Sequence, residues 1–149
     1  MDEQRIQKET RPVLFHLSDG GDIRGMVFLR MQAEHHSGIQ KVGELLNEDR
    51  SFIPVKMDVT PLLLNKRHIV AASVPGEEER DDLLLLGKQY SVAVTTSLGA
   101  TFHGEVFVNM PEGFSRMKDY LNGPGSFITL IQPESILYIN RRFILTVKS

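Results

Sequence analysis

Cysteine and tryptophan are both absent from these 149 residues. Without cysteine there is no disulfide framework, no thiolate zinc site and no thiol nucleophile. Aromatic residues are few, at 7%, which leaves little material for base-stacking platforms. Long apolar runs are missing too: Leu83 to Leu86 is among the longest, against the roughly 20 residues a membrane-spanning helix needs. The start, Met1-Asp2-Glu3-Gln4-Arg5, is not followed by an apolar stretch, so neither a signal peptide nor an anchor is expected. No sign of charge dominates either. The chain has 17 Lys and Arg against 19 Asp and Glu; residues 1–80 hold 11 bases and 13 acids, and residues 81–149 hold six of each. Neither half therefore reads as a basic nucleic-acid module. A soluble globular protein in the cytoplasm, with no membrane contact, is the expectation.

What the chain does have is internal similarity. Leu46-Asn47 matches Leu121-Asn122, Phe52-Ile53 matches Phe127-Ile128, and Asn65-Lys66-Arg67-His68-Ile69 matches Asn140-Arg141-Arg142-Phe143-Ile144, each pair 75 positions apart. Upstream, Ile23-Arg24-Gly25-Met26-Val27 answers Phe102-His103-Gly104-Glu105-Val106 at an offset of 79, so the first copy carries four extra residues, placed in the loop from Gln32 to Gly38. This predicts a tail at residues 1–11, a first unit at 12–75, a connector at 76–86 and a second unit at 87–149.

Each unit reads as about five short strands and one short helix, a mainly β protein. Val13, Phe15 and Leu17 alternate with more polar neighbours before the turn Asp19-Gly20-Gly21-Asp22, and Tyr90, Val92 and Val94 do so before Leu98-Gly99. Gly25 and Gly104 fall on the inward face of the return strands, where a bend or a close backbone approach needs them. Phe28 and Phe107 fall on the otherwise polar face, which makes them candidate interface residues. A helix is expected after Ser37-Gly38-Ile39-Gln40, read as a capping box, with Ile39, Val42 and Leu46 on one face. Phe114, Met117 and Leu121 repeat that face, and Asn122-Gly123-Pro124-Gly125 stops the second helix. Further strands are expected at Phe52 to Met57, Thr60 to Leu64 and His68 to Val74, and at Phe127 to Gln132, Ser135 to Ile139 and Phe143 to Lys148. The connector holds five acids and one arginine from Glu77 to Asp82, expected as a solvated acidic stretch becoming a short helix, with Leu83 to Leu86 docking on one of the units. Without it the rest of the chain is mildly basic.

His16-Leu17-Ser18-Asp19-Gly20-Gly21-Asp22-Ile23-Arg24-Gly25-Met26-Val27 and Leu64-Asn65-Lys66-Arg67-His68-Ile69-Val70 resemble the two signature segments of the Sm-like family, including its bacterial Hfq branch. The whole chain looks like a bacterial family built from two such barrels. The resemblance implies that each unit is a small five-stranded β-barrel that assembles edge to edge; with the repeat and the helices read above, the expectation is two tandem, internally duplicated Sm-like β-barrels, each with one short helix. It also implies single-stranded RNA binding at the basic turns, through Lys66, Arg67 and His68 in one copy and Arg141 and Arg142 in the other. Two departures stand against a full match: a helix occupies the loop where the family places an Asp and an Asn, and Phe143 stands where the first copy has His68.

No catalytic or metal constellation emerges. His35-His36 are adjacent and point apart in an extended loop, Ser97, His103 and Asp119 lack a nucleophile elbow, and Gly123-Pro124-Gly125 does not lead from a strand into a helix. No cofactor is implied. For the repeated basic turn, one reading is a hairpin in which Asn takes the left-handed conformation and the cations stay hydrated. The other is a pair of cation clusters that grip phosphate. Two functions stay open: a non-catalytic, self-associating interaction module, with Phe28, Phe107, open strand edges and a possible protein partner, or a binder of RNA or another anion. An enzyme is the least expected.

Overall fold

The computed structural model describes residues 8–113 and 116–149, so the expected helix-face residue Phe114 lies outside the described residues. The protein is mainly β. The first half runs β1 (Lys8–Leu17), β2 (Asp22–Arg30), α1 (Val42–Leu46), β3 (Phe52–Lys56), β4 (Leu62–Asn65) and β5 (Ile69–Pro75). After α2 (Gly76–Glu79), the second half follows with β6 (Lys88–Thr96), β7 (Thr101–Val108), α3 (Met117–Leu121), β8 (Phe127–Ile131), β9 (Ser135–Asn140) and β10 (Ile144–Lys148). β1 thus begins within the stretch expected as a tail. Strand alternation carries the assignment: Val13 and Phe15 are buried between more exposed neighbours, as are Val92 and Val94.

Among the described residues, the ten strands belong to one antiparallel sheet in the order β10-β6-β7-β8-β9-β5-β1-β2-β3-β4. The halves meet where β5 pairs with β9, with Ala72 opposite Tyr138 and Val74 opposite Ile136. Two cores lie against this sheet. β8 and β9 feed both, because Phe127, Ile131, Ile136 and Tyr138 pack with the first half while Ile128, Leu130, Leu137 and Ile139 pack with the second. Burial on both faces accounts for their continuous apolar sequence.

The glycines of the return strands do what their placement predicts. A Cβ on Gly25 would come within 2.3 Å of Val55 Cγ1, and one on Gly104 within 2.6 Å of the Ile131 carbonyl oxygen. Phe107, on the face that seemed polar, is half-buried and packs against the first-half core; Phe28 is half-buried.

Several local expectations are corrected. Ser37 does not cap α1. The helix starts one turn later, with Glu44 Oε1 accepting from the Lys41 backbone N–H at 2.8 Å, and Asp119 accepts from the Arg116 N–H in the same way at α3. Gln40 is buried, its Oε1 accepting from the Arg30 N–H. Asn65 and Asn140 are extended, at φ −77° and −69°, and each opens a 3-10 turn with its side chain accepting from the N–H two residues on. The turn is no hairpin, since β4 and β5 lie on opposite sides of their half. The connector is only partly solvated: Glu79 is fully buried, receiving Arg11 Nη1–H at 2.6 Å and the Tyr138 hydroxyl. Burial and the Glu79 charge push the Tyr138 phenol up, so it stays a donor. Of the four leucines, Leu84 packs against a core, the first half's, while Leu83, Leu85 and Leu86 stay exposed. Among the described residues no helix is long and apolar enough to cross a membrane.

Candidate functional site

The two basic turns, Lys66–His68 and Arg141–Phe143, are built alike. Asn65 and Asn140 accept from the N–H groups of Arg67 and Arg142, both at 3.1 Å, and the N–H groups of Lys66 and Arg141 donate to the carbonyls of Ser51 and Ser126 at 2.8 and 2.9 Å. Because β5 pairs with β9, the turns come side by side; Asn140 Nδ2 crosses the seam to the Ile69 carbonyl at 3.0 Å. Between them lies a cleft of about 700 Å³, lined by Arg50, Phe52, Lys66, Arg67, Arg141 and Arg142 together with the carboxylates of Glu48 and Asp49.

Within each turn the cations divide by role. Lys66 is buried, and its Nζ donates to the Glu48 carbonyl at 2.6 Å, just past the end of α1. Burial lowers the pKa of its ammonium below the ordinary lysine value. Arg141 does the same for the segment after α3, donating to the carbonyls of Gly123 and, at 2.6 Å, Pro124. A cation at these carbonyls satisfies acceptors that a helix end leaves open. The following residues, Arg67 and Arg142, are exposed, and their guanidinium groups make no ion pair among the described residues; Arg142 lies over the Phe143 ring at 5.7 Å. His68 stands apart from the cleft, its Nδ1 3.0 Å from Ser18 Oγ.

Two lining residues were not singled out in the sequence. Arg50 is exposed at the cleft, and Phe52, 53% exposed, adds an aromatic face to its lining. The signal was present: β3 and β4 pair with Phe52 opposite Asn65, so the two expected strands, once paired, bring Arg50 and Phe52 beside Lys66 and Arg67.

A second cavity of about 770 Å³ lies beside α1. Several charges in and beside it are paired within the protein: Arg30 with Glu48 at 2.8 Å, Lys41 with Asp81 at 2.5 Å, and His36 with Glu44 at 2.6 Å, while Asp49 and Arg50 line this cavity as well as the cleft. The cleft between the turns differs in holding exposed guanidinium groups from both halves, Arg67 and Arg142, that have no ion pair among the described residues. Among the described residues no group of three or more metal-ligating side chains stands together. No family model matches the chain, and no curated protein or solved structure does either.

Proposed function

We propose that this chain is a cytoplasmic, non-catalytic interaction module made of two tandem copies of an Sm-like five-stranded unit, and that its cleft holds the phosphates of a polyanion. Single-stranded RNA is the polyanion that the resemblance implies. One observation carries this reading: Arg67 and Arg142, one from each half, line the same cleft without an ion-pair partner among the described residues. A guanidinium group binds phosphate through two parallel N–H donors. Arg50 adds a third exposed cation, and Phe52 supplies a ring on which a base can stack. The arrangement turns a chain of net charge −2 into one with a local excess of positive charge, five bases against two acids at the cleft.

Fluorescence anisotropy of a labelled single-stranded RNA at low salt tests this. The wild type is expected to bind, and the Arg67→Ala, Arg142→Ala double variant to bind at least about tenfold more weakly, since two phosphate contacts and their released counterions are lost. A wild type with no affinity at low salt contradicts the reading.

A further inference from the structure

Leu46-Asn47-Glu48-Asp49-Arg50-Ser51-Phe52 and Leu121-Asn122-Gly123-Pro124-Gly125-Ser126-Phe127 stand 75 positions apart and differ only in their middle three residues. Both link the short helix of their half to its next strand, and in both the carbonyl of the first middle residue, Glu48 or Gly123, accepts from the cation of the basic turn. The second half makes this link with glycine and proline alone, so the link does not require the side chains of Glu48, Asp49 and Arg50. The aromatic ends differ as well. Phe127 is 5% exposed in the seam, while Phe52 is 53% exposed and lines the cleft. The first half thus sets an acid and a base just ahead of an open ring, and the second half has none of the three.

The two acids of the first link are not alike. Glu48 is engaged inside the protein, its carboxylate accepting from Arg30 Nη1–H at 2.8 Å and from Gln40 Nε2–H at 3.2 Å. Asp49 is exposed and lines the cleft, and its carboxylate has no hydrogen bond or ion pair among the described residues; its charge is felt by the Lys66 ammonium. A free carboxylate beside arginines weakens a site for phosphate alone, because it repels the charge that the arginines attract. It suits a ligand that also brings donors. A carboxylate is an acceptor only, with two oxygens side by side. Among the four RNA bases, guanine carries two N–H donors side by side on its Watson–Crick edge, at N1 and at the exocyclic N2. Adenine and cytosine place a ring-nitrogen acceptor beside the amino group, and uracil flanks its N–H with carbonyls. Unpaired strands leave these edges free to be read.

We propose that Asp49 makes the cleft selective for guanine: the base lies on the Phe52 ring, its N1–H and N2–H groups donate to the Asp49 carboxylate, and Arg50, Arg67 and Arg142 hold the flanking phosphates. Three residues of chain span at most about 10 Å, which keeps the ring and the carboxylate within reach of one nucleobase. The second half offers no counterpart, because Pro124 stands where Asp49 stands and Phe127 is buried. The inference rests on the phosphate-binding reading of the cleft and adds to it the base that is chosen.

Short oligouridines, unmodified or carrying one central guanosine, adenosine, cytidine or inosine, test this when titrated by fluorescence anisotropy at one fixed low salt concentration. The wild type is expected to bind the guanosine strand about tenfold more tightly than the adenosine or cytidine strand, the worth of one bidentate base contact. Inosine keeps N1–H but lacks the N2 amino group, and its strand is expected to fall between guanosine and adenosine. Asp49→Ala is expected to bind all strands alike, and to hold the unmodified oligouridine at least as tightly as the wild type does, which also shows the variant to be folded. A wild type that binds every strand equally overturns the proposal and leaves the phosphate site standing. A guanosine preference that survives in Asp49→Ala overturns it too, since Asp49 then only repels. A wild type with no affinity for any strand removes the phosphate site and this inference together.

Discussion

Lys66 and Arg141 head the two basic turns, and folding engages both on carbonyl groups that end a helical segment. Replacing Lys66 by Met should lower the urea midpoint, at a cost of about 1.5–3 kcal/mol for hydrogen bonds from a charged donor, while Arg67→Ala should leave the midpoint unchanged. A stronger effect is expected at Glu79. It is the buried partner of Arg11 and Tyr138, so Glu79→Gln removes the close counter-charge of a buried guanidinium and leaves it only exposed Glu78 at 3.9 Å, at about 3–5 kcal/mol. The acid-rich composition around Glu79 was legible, but its burial was not, because Arg11 lies 68 residues away in sequence. His36 is the pH-sensitive residue. Its Nε2 meets Glu44 Oε1 and its Nδ1 meets the Ser37 carbonyl, two acceptors that only the protonated ring can serve at once. The Glu44 hydrogen bond, helped by Ser37, raises its pKa. The stabilisation is therefore complete below the unfolded imidazole value of about 6.5 and fades as pH rises through the higher folded value. The urea midpoint of the wild type should fall relative to His36→Gln across that window.

At the scale of elements, periodicity located the strands because each half buries one face of most of them, as Val13 and Phe15 do in β1. The helices were harder to bound. Ser37 and Gln40 have the residue types of a capping box, yet Gln40 is drawn into the interior by the Arg30 backbone and Glu48, and Glu44 caps instead. The Asn-led turn was misread for a related reason: local sequence shows a turn but not that the next strand leaves for the far side of the sheet. The glycines of β2 and β7 give a test of close packing. Gly25→Val would drive a side chain into Val55 and the Lys56 carbonyl, and an overpacking loss of about 1–3 kcal/mol or more is expected from denaturant unfolding. The two helix stops should also differ. Asn47→Ala removes an acceptor of two N–H groups across the seam and should destabilise clearly more than Asn122→Ala, whose side chain donates to the Lys118 carbonyl within its own helix end.

Across the whole molecule, net charge hid that Glu79 is buried with Arg11 while Arg50, Arg67 and Arg142 stay exposed, and no local pattern announced that β5 would pair with β9, whose paired residues lie 60 or more positions apart. That one pairing sets the basic turns side by side. The sequence therefore showed which residues form the turns, while their convergence, and the roles of Arg50 and Phe52 beside them, came from the sheet. The most direct measurement is the salt dependence of RNA affinity. For single strands the logarithm of affinity falls against the logarithm of salt by about 0.7 per phosphate neutralised. Arg67→Ala and Arg142→Ala should each lower the steepness by about that amount, and together by about 1.4. Lys66→Met, whose ammonium is already engaged, should leave the slope as it is. A slope that is flat in the wild type, or that responds to Lys66 and not to the two arginines, contradicts a polyanion site at the cleft.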